Sequence, residues 1–260
     1  MRPKKSLGQN FLTSIPARIA IVKAGEIHKG ETILEIGPGK GMLTVGLLDA
    51  QARVVALEKD TELIPLLSEL FKDYKNFTLL EGDALTYEPT FHHYKLIANI
   101  PYYITGAILS RYLTFKHQPA MMVVLVQREV AERIVAKDGK HSLLSLSVQA
   151  YGTPTIPYRV SRGSFYPIPN VDSAVLKIEN INRNNFKNQY HEDTFFQMLH
   201  AGFAHKRKFL IRNLETVTGK GALLAYFHQL KISEKARAED VTLDTWLSLS
   251  LLLCSKSSIV

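Results

Sequence analysis

A single cysteine, Cys254, is all that the 260-residue chain contains. That excludes an intramolecular disulfide and any cysteine-rich zinc site, and it fits a reducing compartment. No segment approaches the roughly 20 uninterrupted apolar residues of a membrane-spanning helix. The N-terminus is basic, but Pro3 and the polar stretch from Ser6 to Asn10 stand where a secretory signal needs its apolar centre. A cytoplasmic protein without membrane attachment is expected. The nine histidines include the pair His92-His93 but lack the H-x-x-x-H spacing of zinc ligands on one helix face. No metal is expected, and no nucleophilic triad, internal repeat or low-complexity tract stands out.

Hydrophobic residues make up 46% of the chain and charged residues 22%, enough to bury a sizeable core. The length suits one large and one small domain. A net charge of +8 points to a polyanionic partner. Residues 181–260 hold eleven Lys or Arg and seven Asp or Glu, so half the excess charge sits in less than a third of the chain. The polar stretch from Asn182 to Gln189 reads as a linker, and helical spacing of apolar residues continues beyond it. Domains at 1–180 and 181–260 are expected, with a monomer as the default.

In the first of these, short apolar runs alternate with helical segments. Strands are predicted at Thr32–Ile36, Arg53–Leu57, Asn76–Leu80, Lys95–Ala98 and Met121–Gln127, with helices at Met42–Ala50, Thr61–Tyr74 and Ile104–Thr114; Ala174–Ile178 returns to strand. Such alternation argues for a parallel sheet covered on both faces. Gly37, Glu58, Asp83 and Asn99 each fall at the C-terminal end of a strand, the edge where open α/β sheets bind ligands.

The turn Glu35-Ile36-Gly37-Pro38-Gly39-Lys40-Gly41 has the spacing G-x-G-x-G, not the G-x-G-x-x-G of a dinucleotide cradle. It favours a ligand without phosphates, such as S-adenosylmethionine, although a tight βα turn with no ligand has the same pattern. Glu58, about twenty residues on, is placed to accept both hydroxyls of a ribose, and Asp83 to accept an adenine amine. A surface Glu and a turn-capping Asp are the plainer alternatives. The tetrapeptide Asn99-Ile100-Pro101-Tyr102 combines a side-chain acceptor, a carbonyl preceding a proline and a flat ring. Those three suit a planar base with an exocyclic amine. Phe165 and Tyr166, stiffened by Pro167 and Pro169, offer a second aromatic for clamping a base, or core packing at a loop corner. The arm carrying Lys4 and Lys5 reads as a phosphate contact or a solvated tail. Lys206, Arg207, Lys208 and Arg212 read as one basic helix facing RNA or solvent, with Lys208 and Arg212 four residues apart.

Taken together these strings resemble the KsgA/RsmA family of small-subunit rRNA adenine N6,N6-dimethyltransferases. The resemblance covers Gly8-Gln9-Asn10-Phe11-Leu12, Glu35 to Gly39, Glu58, Gly82-Asp83-Ala84, Asn99 to Tyr102, Gln127 to Arg133, Phe165 to Val175, and Arg237-Ala238-Glu239 with Leu243 and Trp246. It implies a Rossmann-like α/β sheet of the class I S-adenosylmethionine-dependent methyltransferases with a small all-helical C-terminal domain. It also implies a cofactor site made by Asn10, Leu12, Gly37, Gly39, Glu58, Asp83, Ala84 and Asn99. Asn99, Ile100, Pro101, Tyr102 and Phe165 would receive the target adenine. The implied substrate is a pair of adjacent adenosines near the 3′ end of small-subunit rRNA, met in an immature 30S particle. The related Erm enzymes, which methylate large-subunit rRNA, share these motifs. An assembly factor that binds RNA without catalysis is the rival from another class.

Overall fold

Runs rich in Val, Ile and Leu cover both faces of the central strands, as a sheet sandwiched between helices requires. In β6 (Met121–Gln127) six of seven residues are buried. The computed structural model describes residues 3–4, 7–136 and 138–254; Lys5 lies outside them. Strands β2 (Thr32–Ile36), β3 (Arg53–Glu58), β4 (Phe77–Glu81) and β5 (Tyr94–Asn99) join β6 in a parallel array ordered β4-β3-β2-β5-β6. Helices α2 (Met42–Asp49), α3 (Ile64–Leu70) and α4 (Thr105–Thr114) connect them. The helix expected from Thr61 is thus shorter, starting beside Pro65 in its first turn, where proline's missing N–H costs nothing.

The sheet is not parallel throughout. β9 (Ser173–Glu179) runs antiparallel to β6, and β7 (Thr153–Val160) runs antiparallel to β9 at the sheet edge. β7 has no signal in the sequence reading because Pro154 and Pro157 interrupt it. An edge strand tolerates prolines, since one side of its ladder faces no partner, and its register shifts between Thr155 and Tyr158. A second, two-stranded sheet pairs β1 (Phe11–Leu12) with β8 (Phe165–Tyr166). The N-terminal segment therefore becomes part of the fold. Beyond it, α1 (Ile15–Ala24) starts at Ser14, whose hydroxyl accepts from the Ala17 amide at 3.3 Å.

Two compact units result. Residues 1–132 and 152–181 form the first; residues 133–151 and 182–260 form the second. The division differs from the single boundary expected near 180, because residues 133–151, with α6 (Leu143–Gln149), pack with the C-terminal helices. In the second unit α7 (Gln189–Phe203) packs against α10 (Leu243–Cys254) and α8 (Leu210–Leu214). Tyr151 donates to Glu192 Oε1 at 2.5 Å, and Arg183 Nε donates to Glu192 Oε2 at 3.0 Å. This satisfies a carboxylate that would otherwise be buried without a partner.

Candidate active site

The C-terminal ends of β2, β3 and β5 and the turn after β4 open into one cleft of about 980 Å³, counting its mouth. Gly37, Gly39, Glu58, Asp83, Ala84, Asn99, Ile100, Pro101 and Tyr102 all line it, together with Asn10 and Leu12 from the N-terminal segment.

The glycine turn is shaped by contact as well as by conformation. Gly39 has φ +61°, and a Cβ there would lie 3.0 Å from the Phe11 ring. Its amide donates to Glu58 Oε2 at 3.1 Å, and the Asp60 amide donates to Glu58 Oε1 at 2.8 Å. Each carboxylate oxygen is thus aimed by one backbone donor and keeps a further lone pair for a ligand hydroxyl. Burial lifts the Glu58 carboxyl above its ordinary range, while the amides of Asp60, Gly39 and Lys59 pull it down. Asp83 is the opposite case: the Lys59 ammonium at 2.8 Å and the Leu85 amide at 2.9 Å hold its carboxyl below the usual range.

Asn99 ends β5. Its Nδ2 donates to the Asn10 carbonyl at 3.0 Å, so the side-chain oxygen remains as the acceptor at the cleft. Pro101 holds an extended backbone, φ −57° and ψ 133°, before a short 3₁₀ turn from Tyr102 to Ile104. The Tyr102 hydroxyl shares a 2.6 Å hydrogen bond with Ser173 Oγ, and burial raises that phenol, keeping it neutral. Behind the glycine turn, Glu35 of β2 is 1% exposed. Thr44 Oγ1 donates to its Oε2 at 2.7 Å, and among the described residues its Oε1 has no partner. Burial pushes this carboxyl up to about 8, with the charge of Glu58 adding to the effect.

Three expectations need correction. Phe165 does not face the cleft: it is 2% exposed in the core, and the exposed ring of the pair is Tyr166 at 60%. The β1–β8 ladder pairs Leu12 with Phe165, and alternation along the strand turns the next side chain outward. Lys206, Arg207 and Lys208 do not continue a helix. They occupy an exposed turn between α7 and α8, where the Lys208 amide bonds to the His205 carbonyl at 3.0 Å. Asn213 Nδ2 closes that turn from α8, donating to the carbonyls of Gly202 and His205. Arg212, in α8, is paired with Glu215 at 3.1 Å. Lys4 is held by carboxylates, with Asp60 at 2.6 Å and Glu62 at 2.9 Å.

The sequence reading missed Tyr103, which lines the cleft with 63% of its surface exposed, and Asp60. Both adjoin motif residues, but neither residue type in isolation signals a site. Among the described residues no three His, Cys, Asp or Glu side chains are grouped to hold a metal ion, and no helix is long and apolar enough to cross a membrane.

The family model for ribosomal RNA adenine dimethylase matches residues 1–254. This chain belongs to that family. Ribosomal RNA small subunit methyltransferase A of Dehalococcoides mccartyi is 40% identical over 258 residues, which cover 96% of this chain and 88% of that protein. The protein of the same name in Fusobacterium nucleatum is 37% identical, over 95% of this chain and 96% of its own length. Among solved structures, a dimethyladenosine transferase from Plasmodium falciparum superposes with a TM-score of 0.82 at 27% identity, covering 95% of this chain and 98% of that one. The 23S rRNA methyltransferase ErmE gives 0.77 at 25% identity, covering 94% and 100%. The Rossmann-like methyltransferase fold implied by the resemblance is therefore borne out. So is the assignment as an rRNA adenine-dimethylating enzyme of the small-subunit group.

Proposed function

We propose that the cleft binds S-adenosylmethionine, and that the chain dimethylates N6 of two adjacent adenosines near the 3′ end of small-subunit rRNA in an immature 30S particle. The observation that carries this reading is the anchoring of the Asn99 amide nitrogen by the Asn10 carbonyl. It leaves an oriented oxygen acceptor beside the Ile100 carbonyl and the Tyr102 ring, all on one cleft wall.

The residues present fit the cofactor. Glu58 offers a carboxylate whose oxygens are positioned from behind by two amides, suited to a ribose diol. Asp83 and Ala84 lie beside apolar Ile36, Leu57 and Leu63, which suit a purine with a polar edge. When bound, the cofactor supplies a methyl group on a positively charged sulfonium. An adenine N6 is a poor nucleophile because its lone pair is delocalised into the ring, and it is unreachable while the base is stacked. Hydrogen bonds from N6 to Asn99 Oδ1 and the Ile100 carbonyl would turn the lone pair out of conjugation. They would also stabilise the positive charge that develops on the nitrogen. Tyr102 holds the base face in line, and its bond to Ser173 fixes the ring. No strong base is required, since the methylated amine is acidic enough to lose its proton to water. The exposed cations Lys206, Arg207 and Lys208 are the phosphate contacts in this reading.

The deciding experiment maps methylated adenosines by mass after incubation with undermethylated 30S and with 50S particles. Two dimethyladenosines in the 30S RNA are expected; modification of 50S alone would move the chain to the Erm activity. Asn99→Ala should lower transfer by about 10²–10³-fold, as loss of an aligned transition-state hydrogen bond does, with cofactor affinity largely kept. Normal transfer by that variant would refute the role given to Asn99. A wild-type chain that binds the particle but not the cofactor would instead favour a non-catalytic assembly factor.

A further inference from the structure

Asp60 is 3% exposed and stands outside the cleft wall, yet it bonds both to the N-terminal segment and to Glu58. Its Oδ1 accepts from Lys4 Nζ at 2.6 Å and from the Glu62 amide at 3.2 Å, and its Oδ2 accepts from Gln9 Nε2 at 2.7 Å. Gln9 in turn accepts from the Lys4 amide at 2.7 Å. On its other side the Asp60 amide donates to Glu58 Oε1. One residue thus links the carboxylate facing the cleft to a segment more than fifty positions earlier.

We propose that Asp60 is a positioning residue that latches the described part of the N-terminal arm, Lys4 and Leu7 to Leu12, over the cofactor. This rests on the reading of the cleft as the S-adenosylmethionine site. Leu7 to Leu12 form one wall of the cleft. The arm is held at one end by the two-residue ladder of β1, and the Asn10 carbonyl is held by Asn99. Gly8 lies against Tyr103, where a Cβ would sit 3.0 Å from the ring. Among the described residues the Asp60 carboxylate meets both Lys4 and Gln9, with Glu62 a second partner for Lys4. Segments held by side-chain bonds with little ladder of their own open far more readily than the core. Such an arm can open for one cofactor to leave and the next to enter, as two methyl transfers to the same nitrogen demand. Bound cofactor stabilises the closed arm directly through Leu7 to Leu12, and through Glu58 and Asp60 from behind.

The test uses the full chain, S-adenosylhomocysteine as the probe, calorimetry for its Kd and hydrogen exchange for the arm. In the wild type, the amides of residues 7–12 should gain protection when the probe binds. Asp60→Ala keeps the backbone donor to Glu58 but removes the latch. It should lose that gain and raise the probe Kd at least tenfold, while kcat at saturating cofactor changes less than threefold. Unchanged Kd and arm protection, or a fall in kcat alone, would overturn the proposal. If Asp60→Ala does not fold, the double variant Lys4→Met with Gln9→Leu removes the same bonds from the arm side, and the same pair of outcomes decides. A wild type that fails to bind the probe would refute the cofactor reading itself, an outcome distinct from probe binding that ignores Asp60.

Discussion

Replacing Glu35 with glutamine should stabilise the protein at alkaline pH and change little in acid. The carboxyl is enclosed between β2 and α2, with one bond from Thr44 and its other oxygen unpartnered among the described residues. Burial raises it from 4.5 to about 8. A carboxyl raised on folding contributes stability below its unfolded value and loses it as pH climbs through the folded value. Below pH 4.5 both states are protonated. Above it the unfolded chain releases a proton that the folded chain retains. At roughly 1.4 kcal/mol per unit, a rise to about 8 costs the wild type about 5 kcal/mol by the time the folded carboxyl ionises. Glutamine mimics the neutral acid in shape and hydrogen bonding to Thr44, and does not titrate. The assay is urea denaturation of both proteins at pH 5, 7 and 9, taking the difference in unfolding free energy at each. The difference should grow in favour of Glu35→Gln by several kcal/mol from about pH 5 to about pH 9. Parallel pH profiles would refute the reasoning and mean that Glu35 is ionised in the folded state.

Glu58→Gln should weaken cofactor binding by about tenfold or more, since charge-assisted hydrogen bonds contribute about 1.5–3 kcal/mol. Wild-type affinity should fall as pH drops through the raised Glu58 value, whereas the Gln variant should show no such dependence; calorimetry against pH checks both. Tyr102→Phe strands the buried Ser173 hydroxyl and should destabilise the fold by about 1–3 kcal/mol in urea denaturation. Changing Lys206, Arg207 and Lys208 together to alanine should weaken RNA binding and reduce its salt dependence by a slope of about 2. A filter-binding series from low to moderate salt reads this, and an unchanged slope would exclude the turn from the RNA contact.

The strand pattern of the first unit was open to reading because its signal is local. Val-rich runs such as Met121–Gln127 need both faces buried, and the residues at the strand ends, Gly37, Glu58, Asp83 and Asn99, are spaced by the helices between them. The same local logic misread other segments. Phe165 and Tyr166 are equivalent aromatics in the sequence, and only the tertiary fold, which buries the first and exposes the second, separates them. The basic run from Lys206 has good helix formers, but Asn213, reaching back to the carbonyls of Gly202 and His205, closes a turn there. β7 was hidden by prolines that only an edge position tolerates.

By itself the sequence determined the alternating strands and helices of the parallel array, the chemistry gathered at the strand ends and the family to which they belong. Those depend on composition over a few residues and on the spacing between them. The tertiary structure alone decided that the N-terminal arm is a wall of the cleft and that Lys4 serves Asp60 and Glu62. It alone decided that the Asn99 amide nitrogen is held by the Asn10 carbonyl and that Glu35 is shut away from water. Each of these is a contact between residues far apart in the chain, formed when the sheet brings its strand ends together. A carboxylate's charge, or a lysine's partner, is set by that neighbourhood and not by the residue type.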